Sequence, residues 1–182
     1  TLSPALFGMP ITMLLPAFVS QDLRGSAQDL GALMAALGVG ALLGALGVIA
    51  WSRVRKRGRL MVVSLLFYGL LLLALGFVQT SFLAAVVLAL SGVFQAVYMA
   101  LNQTMLQLLI PSNIRGRVMS IWMLNWGLMP LGLLPMSFVA EHYGTPVAMK
   151  IGGVLSVVVV LAVLAWNKDL WSLDPQGETE PK

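Results

Sequence analysis

The sequence predicts an all-α integral membrane protein with six transmembrane helices. Of its 182 residues, 59% are hydrophobic and only 10% are charged, whereas a soluble domain carries about 25% charged residues to cover its surface. The apolar residues form six runs of roughly 20 residues, the length that a helix needs to cross about 30 Å of hydrocarbon. The runs are continuous rather than alternating, which argues against the strands of a membrane β-barrel.

The six predicted helices are, in order, residues 3–20, 29–52, 60–78, 81–110, 113–140 and 146–166. Ser3 and Pro4 form a favourable N-cap and first-turn pair for the first helix, and Pro10 and Pro16 should bend it. Asp29 is the expected N-cap of the second helix. The third helix should end at the polar stretch 79–81.

Proline and hydroxyl residues set the limits of the last three helices. Pro111 should end the fourth helix, and Ser112 should cap the fifth. Pro130 and Pro135 interrupt the fifth, and Pro146 opens the sixth. We therefore expect a six-helix bundle over residues 1–167 and a polar, flexible tail over residues 168–182.

The composition narrows the chemistry that the chain can perform. Because there is no cysteine, disulfides, thiolate metal sites and a cysteine nucleophile are excluded, and we expect neither a metal nor a cofactor. The chain opens with Thr1 and runs directly into apolar sequence without a basic leader. We therefore expect that this first segment is not a signal peptide and that the beginning of a longer protein is missing.

A basic run, RVRKRGR, separates the second and third helices. A nucleic-acid patch, a targeting signal, a solvated loop and a membrane topology signal would all fit such a run. If six helices alternate direction, nine of the eleven lysines and arginines lie on one side of the membrane. This asymmetry indicates that the run faces the cytoplasm, together with both chain ends. A loop this short offers no nucleic-acid-binding fold, although it can contact lipid headgroups.

The fourth and fifth helices carry most of the polar residues, whereas the third and sixth are nearly free of them and should face lipid. The candidate substrate-contacting residues are Gln95, Tyr98 and Asn102 on one stripe of the fourth helix and Trp122, Asn125 and Met129 on one face of the fifth. These groups could join helices by hydrogen bonds, or they could line a water-accessible cavity for amphipathic molecules. Both interpretations stay open.

Two further features of the predicted membrane region are its glycine pair and its lack of ionisable residues. Gly40 and Gly44 form a small-xxx-small pair that lets another helix approach closely, either as a fixed contact or as a surface along which helices slide. No ionisable residue lies in the middle of a predicted span. A carboxylate for proton coupling is therefore expected outside these 182 residues.

The hydropathy pattern repeats after three helices, because each triplet ends in a helix without polar groups. Three crossings reverse the direction of the chain, so the second triplet would be an inverted copy of the first. The stretch NQTMLQLLIPSNIRGRVMS, residues 102–120, resembles the junction between the tenth and eleventh helices of major facilitator superfamily transporters. It is especially similar to the branch of enterobactin-exporter-like and macrolide or drug efflux proteins.

The residues that carry this resemblance are Asn102, Gln103, Thr104, Gln107, Pro111, Arg115, Gly116, Arg117, Val118 and Ser120. The basic run occupies the place of the family's loop between the eighth and ninth helices, with Trp51 and Ser52 where the loop in the first half carries an acidic residue. The cytoplasmic loop and gate would comprise Arg53, Arg55, Lys56, Arg57 and Arg59 together with Arg115, Gly116 and Arg117. The arginines of the second group could also be simple topology charges.

The resemblance implies the C-terminal half of a twelve-helix carrier in the bacterial inner membrane. It implies alternating access, export of a small amphipathic molecule such as a drug or siderophore, and a missing N-terminal six-helix half as partner. It implies no enzymatic activity.

Two other interpretations remain. A six-span serine protease would need Ser91 as nucleophile and a base within about 3 Å, and the one histidine, His142, falls in an outer loop. A half-transporter that works as a dimer is the second alternative.

Overall fold

The structure is a computed structural model that describes residues 13–23, 25–50, 57–109 and 129–166, together with Gly116, Ser120, Met123 and Gly127. The described part is all helical and contains no strand. Its elements are α1 (Leu15–Ala17), which continues into a π-helical turn (Phe18–Asp22), α2 (Ala27–Ala50), α3 (Arg57–Leu75), α4 (Ser81–Leu109), α5 (Met129–Tyr143) and α6 (Thr145–Trp166).

Four helices of the described part are long and apolar enough to cross a membrane: Ala27–Ala50, Gly58–Leu75, Ser81–Met105 and Thr145–Ala162. The predicted class, an all-α protein with membrane-spanning helices, is thereby confirmed for this part of the chain. Residues 1–12 and most of 110–128 lie outside the described residues, as does the tail after residue 166. The count of six spans therefore stays a prediction.

Helix α2 begins with a pair of reciprocal hydrogen bonds. The backbone N–H of Ser26 donates to Asp29 Oδ2 at 2.7 Å, and the backbone N–H of Asp29 donates to Ser26 Oγ at 3.3 Å. This is a capping box in which Ser26 is the N-cap and Asp29 the third residue of the helix. The prediction that Asp29 is the N-cap was wrong because a side chain three residues upstream reaches the free N–H groups first.

A single residue joins α5 to α6. Gly144 has a φ of 88°, a left-handed conformation that costs glycine little and other residues more. Its N–H donates to the Ala140 carbonyl at 3.0 Å, which ends α5 while α6 starts at the next residue. The chain therefore reverses direction here without a loop.

Helices α2 and α4 form the most extensive helix pair, and their backbones touch. Gly40 lies against the carbonyl oxygen of Ala89, and a Cβ added at Gly44 would lie 2.9 Å from the Cα of Val93. On the opposite helix Gly92 lies equally close to α2. The predicted small-xxx-small pair thus packs on the backbone of α4, a glycine of α4 packs on the backbone of α2, and neither helix has room for a side chain at these points.

Helix α3 packs against both α4 and α6. It contributes Tyr68, Leu72 and Leu75 to the main buried cluster, which also holds Met149 of α6. In the membrane-length part of each helix, 39% of the residues are buried in α3 and in α6, but only 17% in α2. Which helices face lipid stays a prediction, because lipid tails and helix contacts accept the same apolar side chains.

The π-helical turn connects α1 to the core. Phe18 and Val19 are almost fully buried, at 0% and 2% exposure, and share the main cluster with α2, α3, α4 and α6. A smaller cluster of Leu14, Met136 and Ala148 joins α1, α5 and α6. Residues 14–19 are therefore held by both clusters, and α6 takes part in each.

We expect Gly40→Ala to destabilise the bundle by about 1–3 kcal/mol, because the added methyl group would overlap the Ala89 carbonyl and push α2 away from α4. Gly38→Ala is the matched control, since a Cβ there meets nothing within 4 Å. Thermal unfolding in detergent, followed by circular dichroism, measures both. Equal stability of the two variants would show that the contact is loose.

Candidate functional site

The polar stripe of α4 lies on the side of the helix that faces its neighbours. Tyr98 and Asn102 are 6% and 8% exposed, and they share this side with Leu88 and Met105, which are also buried. The opposite side of α4 is apolar and open, as shown by Leu90. Two of the three residues that the sequence offered as a cavity lining are thus packed inside the bundle in this conformation, and the third is half-buried.

Gln95 bonds to a residue of the third helix. Its Nε2 donates to the hydroxyl oxygen of Tyr68 at 3.5 Å, and Tyr68 is 2% exposed. One residue earlier on each helix, the rings of Phe67 and Phe94 stack with their centroids 5.0 Å apart. For Gln95, the geometry is that of a helix-joining hydrogen bond.

Sequence reasoning missed Tyr68 because it lies in a run that is otherwise almost wholly apolar. A signal was nevertheless present, since a tyrosine hydroxyl in hydrocarbon needs a hydrogen-bonding partner. The amide of Gln95 on the next helix was the available group. Pairing these two requirements would have placed the third helix beside the fourth.

Two other hydroxyls of α4 are satisfied within their own helix. Ser91 Oγ donates to the Val87 carbonyl and Thr104 Oγ1 to the Ala100 carbonyl, both at 2.8 Å. Ser91 is also buried. His142 is exposed at the end of α5, where its Nδ1 lies 3.0 Å from the Phe138 carbonyl oxygen. The serine and the histidine that a protease would combine therefore each have another partner.

Much of the predicted site belongs to parts of the chain that the structure does not describe. Arg53, Arg55, Lys56, Arg115, Arg117, Trp122 and Asn125 lie outside the described residues, and the side chains of Arg57 and Met129 are outside them too. Arg59 is exposed on the first turn of α3. Gly116 is helical, and its carbonyl accepts a hydrogen bond from Ser120 Oγ at 2.9 Å.

A second polar group lies at the end of the bundle where the π-turn meets the start of α6, which we call the Asp22 end. Thr145 is 1% exposed, and its hydroxyl makes no hydrogen bond within 3.5 Å in the described part of the chain. Asp22, which is exposed, is the last residue of the π-turn that contacts α6. Burial raises the pKa of Asp22, and the Thr145 hydroxyl lowers it by a smaller amount.

The Asp22 end also holds a cation. Lys150 Nζ lies 4.1 Å from the centroid of the Phe77 ring, a cation–π contact between α6 and the chain just after α3. Gly76 lets this segment approach α6, because a Cβ there would lie 2.8 Å from the Pro146 carbonyl oxygen. No group of three histidines or carboxylates within the described ranges could hold a metal ion.

Comparison with known protein families gives a match over most of the chain. The model of the family described as transmembrane secretion effector matches residues 4–176, which is nearly the whole chain. The match includes all six helical elements, the α4 stripe and the Asp22 end. No curated protein and no solved structure matches the chain.

We expect Tyr68→Phe to lower the free energy of unfolding by about 0.5–1.5 kcal/mol, since it removes the acceptor of the Gln95 amide. Gln95→Leu should cost a similar amount, and the double variant should cost less than the two single changes combined. Unfolding in mixed micelles measures all three, with the exposed Tyr143→Phe as control. Additive costs would show that the two side chains do not interact.

Proposed function

The chain belongs to the transmembrane secretion effector family of the major facilitator superfamily, and from this premise we propose that it takes part in exporting a small amphipathic molecule. Drugs and siderophores are the substrate classes we favour. The proposed mechanism is secondary active transport by alternating access, in which no covalent bond of the substrate changes. The family match over residues 4–176 is the observation that carries this proposal.

The proposed architecture is an inverted repeat of three plus three helices that forms one half of a twelve-helix carrier. The contact between α3 and α6 supports it. A Cβ at Gly69 would lie 3.1 Å from Val157, and one at Gly153 would lie 2.6 Å from the backbone of Leu73. Gly153 follows Gly69 by the same number of residues as Val157 follows Leu73, so each glycine contacts the counterpart of the residue that the other contacts. This reciprocity is expected where the equivalent helices of two repeats meet at a twofold axis.

The proposed orientation places the basic run 53–59 in the cytoplasm of a bacterial cell and the chain in its inner membrane. Nine of the eleven lysines and arginines then lie on the cytoplasmic side if the chain crosses six times. In this orientation the Asp22 end faces outward. The N-terminal six-helix half of the carrier would be the partner of this chain.

In the proposed mechanism the glycine contact lets α2 and α4 shift along each other, because no side chain interlocks them at Gly40, Gly44 or Gly92. Gln95 holds α4 to α3 through Tyr68. Tyr98 and Asn102 would border the substrate path together with Trp122, Asn125 and Met129 once the helices separate. The Arg115–Gly116–Arg117 segment would act at the cytoplasmic entrance to that path.

We expect cells that express the Arg117→Ala variant to retain more ethidium than wild-type cells, with an efflux rate reduced about threefold or more if this arginine gates the entrance. Membrane abundance, measured on the same cells by immunoblot, should change less. Lys168→Ala is the control, because it removes a positive charge from the same proposed side of the membrane but outside the gate segment. Equal losses of efflux and abundance would contradict a gating role, and ethidium retention equal to that of cells lacking the protein would contradict drug export.

The absence of cysteine makes the α4 stripe open to a direct test. Asn102→Cys should react with a water-soluble maleimide about tenfold faster than Leu88→Cys, a fully buried position on the same side of the helix, if transport exposes the stripe to water. Added ethidium should slow the reaction at position 102. Equal, slow reaction at both positions would show that the stripe only joins helices.

A further inference from the structure

Lys150 is the one charged residue of α6, a helix that is otherwise apolar enough to cross a membrane. It lies inside the apolar window Thr145–Ala162 and follows the first residue of α6 by five positions, or about 7.5 Å of helix. Ionisable residues are rare in membrane-spanning segments because a charge is costly away from water. A lysine at this position therefore calls for a role that offsets its cost.

The side chain of Lys150 is held by the segment that follows α3. A Cβ added at Gly76 would lie 2.7 Å from Lys150 Cγ, so the glycine leaves the space that the aliphatic stem occupies. The ammonium group lies over the ring of Phe77, with Nζ 4.1 Å from the ring centroid. These two neighbours order a long and otherwise flexible side chain, and they thereby fix the position of its charge.

No carboxylate of the described residues neutralises this charge. The acids that the described ranges contain are Asp22, Asp29 and Glu141, and none of them lies within 4.0 Å of the Lys150 ammonium. Asp29 accepts hydrogen bonds from Ser26 instead. A cation–π contact leaves the positive charge in place, so the ammonium group still attracts an anion.

The aromatic rings at this end of the bundle are open to its surroundings. Phe77 is 65% exposed, and Phe82, in the first turn of α4, is 76% exposed. Lys150 itself is half-buried. Exposed aromatic rings, together with a lysine whose stem packs on apolar surface, are typical of the level at which phospholipid headgroups meet the hydrocarbon.

Lys150 lies apart from the α4 stripe. Its neighbour Phe77 belongs to the turn that leads into α4, which begins at Ser81. Tyr98 follows Ser81 by 17 residues, or roughly 25 Å of helix. A small molecule that contacts Tyr98 is therefore out of reach of the Lys150 ammonium, and the anion that this charge attracts is a different one.

We propose that Lys150 and Phe77 form a binding site for the phosphate group of an anionic phospholipid, in the leaflet at the Asp22 end. The ammonium group donates hydrogen bonds to the phosphate oxygens, and the exposed ring of Phe77 contacts the glycerol and the upper part of the acyl chains. An anionic lipid is favoured over a zwitterionic one, because no positive charge in its headgroup opposes Lys150.

Such a site goes beyond the proposed export and does not depend on it, because a lipid can bind whether or not the carrier moves a substrate. A lipid held by Lys150 touches α6 and the segment after α3 together. It would therefore strengthen the contact between α3 and α6 at this end, whereas Gly69 and Gly153 form that contact further inside the bundle.

The test uses the full chain in lipid nanodiscs and needs no substrate. Because the chain has no cysteine, Gln79→Cys places one fluorophore at an exposed position between Phe77 and α4. The bilayer is phosphatidylcholine with a small, fixed fraction of lipid that carries a nitroxide high on an acyl chain, either phosphatidylglycerol or phosphatidylcholine. A nitroxide quenches only nearby fluorophores, so the ratio of the two quenching values measures the preference for the anionic lipid.

We expect phosphatidylglycerol to quench about twofold or more better than phosphatidylcholine in the Gln79→Cys protein, and the ratio to fall to about one when Lys150→Met is added. Methionine keeps an unbranched stem beside Gly76 and removes the charge. Lys150→Arg retains the charge and should retain the preference. Lys168→Met is the matched control, because it removes a positive charge beyond the opposite end of α6, and it should leave the ratio unchanged.

Salt and soluble phosphate give two measurements that need no variant at Lys150. Added potassium chloride should lower the ratio by screening the charge, whereas inorganic phosphate at the same ionic strength should lower it no further. A larger loss with inorganic phosphate would assign Lys150 to a soluble anion and reject the lipid site. Equal quenching by the two lipids, a preference that persists in Lys150→Met, or an equal loss in Lys168→Met also overturns the proposal.

Discussion

The close contact between the backbones of α2 and α4 is the constraint on which the rest of the bundle depends. Inside a bilayer, burial of apolar side chains gives no net driving force between helices, so association relies on close packing and hydrogen bonds. Gly40 and Gly44 on one helix and Gly92 on the other allow that approach. With α4 fixed in this way, its opposite flank carries Gln95 to Tyr68 and thereby positions α3, which in turn supports α6.

Much of this arrangement can be predicted from residue types, and the remainder depends on contacts that a linear pattern does not contain. Hydropathy predicts the membrane class, and the Gly40–Gly44 spacing predicts a close helix contact. The partner of that contact is not predictable in this way, because Gly92 has no distinguishing sequence context. Hydropathy also does not tell which surfaces of the third and sixth helices meet lipid, since an apolar surface serves equally well against lipid and against another helix.

The candidate site was likewise predictable only in part from the sequence. The spacing of Gln95, Tyr98 and Asn102 predicts a shared face, and the structure places Tyr98 and Asn102 together on the buried side of α4. The contact that this face makes depends on Tyr68, a single polar residue in an apolar run. Thr145 and Asp22 are more than one hundred residues apart in sequence, and no periodic pattern links them. The contact between the π-turn and α6, which end and begin at these residues, is a product of the tertiary fold alone.

The one-residue link at Gly144 has a mechanical consequence. Helices α5 and α6 meet without a loop that could absorb a change of angle, and a left-handed φ of 88° already fixes the bend. The two helices are therefore two arms that meet at a single residue, Gly144. A tilt of one arm displaces the other, so an event at the distant tip of α5 would be felt beside Thr145 without any chain of side-chain contacts between them.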